Sequence, residues 1–194
     1  MPCSILIVNR KPELVEQIKT VLRPRGYPIS AACDSGTQAL RSVFAHPVDI
    51  AVTGFLLSDM SGLEFADALL EKSETSVLMI TPQAQLEYVK EQSAGRDIVA
   101  LPRPVTAQAL VSALEMMEHY RGRVRKANDE AKKARSDLER RALADRAKAA
   151  LMAQTGMTEA EAWRTLQKRS MDTGSPLREV ALDVLAQYEV KTQI

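Results

Sequence analysis

The stretch TAQALVSALEMMEHYRGRVRKANDEAKKARSDLERRALADRAKAALMAQ, residues 106–154, reads as one long helix. Leu110, Met117, Val124, Ala131 and Leu138 recur every seven residues, and Ala113, Tyr120, Ala127 and Ala134 lie three positions after the first four. A stripe of such a and d positions lets two helices supercoil along a narrow apolar seam. Gly122 is the only Gly in it, and no Pro interrupts it. In this register Glu130 takes a g position and Arg135 the following e position, which suits a parallel pair. The expectation is a coiled-coil dimerisation helix over residues 106–140 and a homodimer. The alternative is a single helix that lays the stripe on its own chain. The seam is rich in alanine, so its grip is weak without help from the regions on either side.

A chain of 194 residues suits one ordinary domain and a smaller one. Hydrophobic residues make up 45% of it but aromatics only 4%, so the core must be aliphatic, as in α/β or helical folds. No apolar run approaches membrane-spanning length, and Met1-Pro2-Cys3-Ser4 does not read as a signal peptide. A cytoplasmic protein with no membrane partner is expected. Cys3 and Cys33 lack metal-ligand spacing, and His46 and His119 stand apart from any Cys or acidic cluster. Neither a metal nor a cofactor is expected. The net charge of +1 hides an asymmetry: residues 1–120 carry 10 basic and 14 acidic side chains, whereas residues 121–150 carry 11 basic and 5 acidic. A concentrated basic stretch on a helix is the footprint of a polyanion binder, although a solvated helix of mixed charge reads the same way.

The first 105 residues alternate strands and helices. Ile5-Leu6-Ile7-Val8 is a short, wholly apolar run, as expected of a strand buried on both faces of a parallel sheet. Pro12 can open a helix bearing Leu14, Val15, Ile18, Val21 and Leu22 at helical spacing. Strands are expected at Ile29–Ala32, Asp49–Val52, Val77–Ile80 and Ile98–Leu101. Between them, helices are expected from Ser35 to Ala45, from Gly62, and over roughly Gln83–Ser93. Five β-α units make a doubly wound, flavodoxin-like parallel sheet, in which ligand sites collect at the carboxyl ends of the strands.

In this layout residues 4–120 resemble the receiver domains of two-component response regulators. Such domains carry two acids after the first strand, a phosphoacceptor Asp after the third and a Lys-Pro after the fifth, and Thr81 after the fourth strand here fits their layout. Here the acid positions are Asn9 and Arg10, and the phosphoacceptor position, eight residues before Gly62, is Gly54. The Lys position is Arg103, and of the working set Thr81 alone remains. Aspartyl phosphorylation needs a carboxylate nucleophile and a Mg²⁺ held by oxygen ligands. The resemblance therefore implies a pseudo-receiver over residues 1–120, kept for contacts with a sensor or inhibitor protein. Arg10 and Arg103 could mimic a metal and a lysine, or could simply have followed the loss of the acids. Asp59 lies in the loop beyond Gly54 and is expected to serve turn geometry. Whether the Arg103-Pro104 bond is cis is left open by the sequence.

Beyond Leu138 the chain reads as three helices. The long helix runs on to Gly156, and Thr158-Glu159-Ala160-Glu161 is a capping box that opens the next. Ser175-Pro176 opens the last, with Ser as cap and Pro at its first position. Leu151, Met152, Ala160, Trp163 and Leu166 are expected to form a small core, with Trp163 its anchor rather than a base-stacking platform. Arg141, Arg146 and Lys148, beside the small Ala147, and Arg164, Gln167 and Lys168 on the second helix, could form one RNA-facing surface. Cations there would track phosphate while small residues let bases approach.

Residues 138–188 resemble the ANTAR domain of bacterial transcription antiterminators. The runs Arg141–Met152, Thr158–Trp163 with Leu166, and Arg178–Ala181 carry the likeness, with Ala149 where a Gly is common. The order of receiver, coiled coil and ANTAR domain (residues 138–194) resembles the amidase-operon and nitrate-assimilation antiterminators. That likeness implies an RNA-binding regulator of transcription that grips paired hairpins in nascent leader RNA. Two rivals are a DNA-binding regulator and a protein-only adaptor. An enzyme is the least favoured class, because no nucleophile–base pair, metal cluster or phosphate-cradling glycine loop is present.

Overall fold

The computed structural model describes residues 3–189. The last five residues of the expected 138–194 domain, and the first two of the 1–120 domain, lie outside them. The chain divides into two compact units, Met1–Arg123 and Val124–Ile194.

The first unit is built on five parallel strands, β1 (Ile5–Val8), β2 (Ile29–Cys33), β3 (Ile50–Gly54), β4 (Ser76–Thr81) and β5 (Ile98–Pro102), in the order β2-β1-β3-β4-β5. The helices are α1 (Pro12–Leu22), α2 (Gly36–Ala45), α3 (Gly62–Lys72), α4 (Leu86–Gln92) and the start of α5 (Ala107–Thr155). Alternation along the strands sends neighbours to opposite faces, so each strand serves two cores. Ile5, Ile7, Ile50, Val52, Leu78 and Ile80 pack with α1 and the start of α5. Leu6, Val8, Ala51, Val77 and Met79 pack with α2, α3 and α4. The doubly wound α/β expectation describes this unit.

Several boundaries differ from the sequence reading, each for a local reason. β3 begins at Ile50 because the Asp49 carboxylate turns back to accept from Ser4 N and Ser4 Oγ, both at 2.9 Å. The expected helix over Gln83–Ser93 opens instead as a 3₁₀ turn, Gln83–Gln85, with α4 proper from Leu86. α3 has a capping box that the sequence reading passed over, Ser61 Oγ accepting from Glu64 N while Glu64 Oε2 accepts from Ser61 N.

The heptad stripe needs a correction. Leu110 (2% exposed), Ala113 and Met117 are buried against the sheet with Leu114, so these three belong to the receiver core and are no part of a dimer seam. An apolar stripe records that a helix face is covered, not what covers it. The same end of α5 is pinned by polar bonds. Glu118 accepts from Cys3 N (2.6 Å) and from the Tyr27 hydroxyl (3.3 Å), and burial with the nearby Glu118 pushes the Tyr27 phenol up to about 12. Arg121 donates to the Glu74 carbonyl (2.6 Å) and Ser76 Oγ (2.7 Å) and pairs with Asp49 at 3.4 Å. From Gly122 to Ala142 every residue is exposed, Val124, Ala127, Ala131, Ala134 and Leu138 of the stripe among them, and Tyr120 is exposed as well.

The second unit joins the end of α5 to α6 (Glu159–Thr173) and α7 (Leu177–Glu189) around Ala147, Leu151, Ala162, Leu166, Val180, Ala181, Val184 and Leu185. Gly156 and Gly174, at φ +71° and +66°, end α5 and α6 in the left-handed conformation that glycine adopts without a Cβ penalty. The Thr158–Glu161 capping box forms as expected. α7 begins at Leu177, so Pro176 stands just outside it rather than at its first position, and the Ser175 carbonyl accepts from Ser170 Oγ at 2.7 Å.

Candidate functional site

Two places hold the residues singled out from the sequence. The first is a cleft at the carboxyl ends of β1, β3 and β5, lined by Asn9, Arg10, Lys11, Leu14, Gly54, Phe55, Leu56, Ile80, Pro82 and Arg103. The topology brings Asn9, Arg10, Gly54 and Arg103 together there, as parallel strands of one sheet must. Thr81 is fully buried beside it, and Arg103-Pro104 is a cis peptide. Lys11 also lines the cleft. The Asn9-Arg10-Lys11 run directly after the first strand was the signal for it.

The chemistry of the cleft follows from what fills it. Gly54 has no side chain, and a Cβ built there would lie 2.7 Å from Asn9 Nδ2. Asn9, only 6% exposed, therefore occupies the space that a residue-54 side chain would need. Its Oδ1 already accepts from Lys11 N at 3.0 Å. A receiver fold implies Mg²⁺, which wants several hard oxygen ligands. One engaged amide oxygen among three cationic side chains does not fit it. The glycine at 62 has a separate cause: its amide donates to the Phe55 carbonyl at 2.8 Å, and a Cβ there would stand 2.2 Å from the Gly54 carbonyl oxygen.

Asp59 does more than shape a turn. Its carboxylate accepts from Gly36 N (2.7 Å), Thr37 N (2.9 Å) and Ser35 Oγ (2.8 Å), which ties the β3–α3 loop to the start of α2. The bonds from Thr37, with those from Ser35 and Gly36, hold the Asp59 carboxyl well below the usual carboxylate range. Ser35, expected as the α2 cap, also accepts from Gln38 N.

The second place is the three-helix unit. Arg141, Arg146, Arg164, Gln167 and Lys168 are exposed there. Two expectations need correction. Ala147 is wholly buried in the core and offers no surface to RNA. Of the expected core, Leu151 and Leu166 are buried, but Met152 (38% exposed), Ala160 and Trp163 (36%) stand at the surface. The period of α6 explains Trp163: Ala162, Thr165, Leu166, Arg169 and Ser170 are its covered or half-covered positions, and Trp163 lies at the margin of that stripe. Lys148 Nζ sits 6.0 Å from the centre of the indole ring and pairs with Asp145 (2.8 Å) and Glu159 (2.7 Å). The bonds to Asp145 and Glu159 raise the Lys148 pKa. Its charge is therefore largely answered within the unit.

Comparison with known proteins divides the chain in the same places. Residues 5–115 match the response regulator receiver domain, and residues 132–185 match the ANTAR domain. The transcriptional regulatory protein PdtaR of Mycobacterium tuberculosis is 24% identical over 185 residues, spanning 95% of this chain and 90% of that protein. The chemotaxis protein CheY of Pseudomonas aeruginosa is 29% identical over 115 residues, 58% of this chain and 93% of its own. Among solved structures, the receiver domain of an HD domain-containing protein from Pseudomonas fluorescens aligns with a TM-score of 0.58 at 23% identity. It covers 64% of this chain and 92% of that one. The receiver domain of PhyR from Erythrobacter litoralis aligns at 0.55 and 18% identity, over 61% and 92% of the two chains. These two structures share the fold of the first unit.

Proposed function

The chain belongs to the response regulator receiver family and carries an ANTAR domain behind the receiver, and on that premise we propose that it controls transcription by binding paired hairpins in nascent leader RNA. The observation that carries this reading is the ANTAR match at residues 132–185, which falls on a compact three-helix unit with exposed Arg141, Arg164, Gln167 and Lys168. Exposed Trp163 and Met152 add an apolar surface of the kind on which unpaired bases stack. The receiver acts as a docking domain for a sensor or inhibitor protein, without aspartyl phosphorylation, since residue 54 is glycine. The exposed part of the heptad stripe, Tyr120 to Leu138, pairs two chains, so that two ANTAR domains grip two hairpins with avidity.

The test is a gel-shift assay on the full chain at stated salt, with a transcript carrying two hairpins, a single hairpin, and duplex DNA of the same sequence. The two-hairpin RNA is expected to bind at least about tenfold more tightly than either competitor. Equal affinity for RNA and DNA, or no binding to any of a library of two-hairpin leader transcripts, would overturn the reading. Arg164→Gln and Lys168→Gln should each lower the slope of log K against log salt by about 0.7 to 1. Lys148→Gln should lower it less, because Asp145 and Glu159 already hold that ammonium. Treatment with acetyl phosphate and Mg²⁺ is expected to leave the mass of the intact protein unchanged.

A further inference from the structure

The cleft over Gly54 carries a charge pattern for which RNA binding by the second unit has no use. Arg10, Lys11 and Arg103 line it together, and no acidic side chain does. Like charges brought to one concavity repel one another, and the low-dielectric wall behind them strengthens that repulsion. Four other cations of the same unit are answered, Lys19 by Glu16, Lys90 by Glu87, Arg96 by Asp67 and Arg121 by Asp49, while Arg23, Arg25, Arg41 and Lys72 stand exposed to solvent rather than gathered in a concavity. Among the described residues, none of the three cleft cations joins an ion pair. Asn9 adds a neutral donor. It is more than nine-tenths buried, its Oδ1 is taken by Lys11 N, and its Nδ2 stands over Gly54, donating to no group among the described residues. An amide donor at the floor and three cations at the rim complement a compact anion with several acceptor oxygens.

We propose that this cleft is a metal-free binding site for a small dianionic oxyanion of the inorganic phosphate class, held without a covalent bond by Arg10, Lys11, Arg103 and the Asn9 amide. The ligand neutralises the rim and sits in the cleft outside the Asn9 amide, which itself fills the space over Gly54. No phosphoryl transfer takes place, so the site reports the concentration of an anion rather than the activity of a kinase. This proposal is independent of RNA binding and stands or falls on the first unit.

The experiment titrates inorganic phosphate, sulfate and acetate into the full-length, isotope-labelled protein in EDTA, with amide resonances followed by NMR and ionic strength held constant with KCl. Phosphate and sulfate are expected to give saturable shifts at Asn9, including its side-chain amide, and at Lys11 and Gly54. Acetate, with one charge, should bind about tenfold more weakly. Arg10→Gln, at an exposed side chain that leaves the fold alone, should weaken phosphate about fivefold, and Arg103→Gln at least as much. Absence of saturable shifts at Asn9 and Gly54 up to about 20 mM phosphate, a requirement for added Mg²⁺, or an unchanged affinity in Arg10→Gln would each refute the proposal.

Discussion

One substitution, glycine to alanine, should have opposite signs at two positions of this chain. In a helix, alanine is preferred to glycine by about 1 kcal/mol, because glycine loses more backbone freedom on folding. Gly122 lies in the exposed part of α5 with nothing within 4 Å of a built Cβ, so Gly122→Ala should stabilise by about 0.5–1 kcal/mol. Gly62 is also helical, but its Cβ would stand 2.2 Å from the Gly54 carbonyl oxygen, 3.2 Å from Gly54 C and 3.3 Å from Phe55 Cα. All three are backbone atoms, which cannot swing aside. Relief requires the start of α3 to retreat by about 1 Å, since ordinary contact resumes near 3.4 Å. That retreat stretches the 2.8 Å bond from Gly62 N to the Phe55 carbonyl, worth about 1 kcal/mol. It adds an overpacking cost of about 1–3 kcal/mol. Set against the propensity gain of about 1 kcal/mol, Gly62→Ala should destabilise by about 2 kcal/mol net. The assay is urea denaturation followed by far-UV circular dichroism and by tryptophan fluorescence. Trp163 is the sole tryptophan and lies in the second unit, so it reports that unit alone. Gly62→Ala should lower the midpoint of the dichroism transition and leave the fluorescence transition in place. If both variants stabilise the protein alike, propensity governs Gly62 and the steric argument is refuted.

Other outcomes follow from the same geometry. Leu166→Ala, at a wholly buried site in the smaller core, should cost about 2–4 kcal/mol by the fluorescence transition, whereas Trp163→Ala should cost well under half of that by dichroism. Val124→Lys with Leu138→Lys should yield monomers in sedimentation with the receiver's stability intact, while Met117→Lys should unfold the first unit, because Met117 belongs to its core. A dimer that survives the double substitution would place the interface elsewhere. Asp59→Asn should lower stability at neutral pH. The folded-state pKa of Asp59 is depressed, so its contribution is complete above the ordinary aspartate pKa and fades as pH falls through the folded value. The gap between wild type and Asp59→Asn should therefore close on acidification; a gap that is constant with pH would mean that the three bonds to α2 contribute nothing through ionisation.

Much of the fold was legible in the sequence because its signals are local. The apolar run Ile5–Val8 can be a buried parallel strand and little else, and the Thr158–Glu161 box and the glycines at 156 and 174 mark helix ends through bonds made within a few residues. Gly54, Asn9, Arg10 and Arg103 could be assembled on paper because a doubly wound sheet gathers its strand ends. What failed depended on which partner covers a given face. The heptad stripe is real as a pattern, yet Leu110, Ala113 and Met117 spend it on the sheet. Ala147 sits among cationic neighbours in the sequence, although its helix phase turns it into the core with Leu151.

By itself, then, the sequence determined the order of elements, the absence of a carboxylate at residue 54, the basic stretch on α5 and the caps of the C-terminal helices, since each is written in composition or in neighbours a few residues apart. The tertiary structure alone decided that Asn9 fills the space over Gly54, that Asp59 ties one loop to a helix 22 to 24 residues away, and that Trp163 faces outward while Lys148 is neutralised. Those outcomes rest on distances between segments far apart in the chain. Periodicity identifies an apolar face, but only packing settles what that face meets.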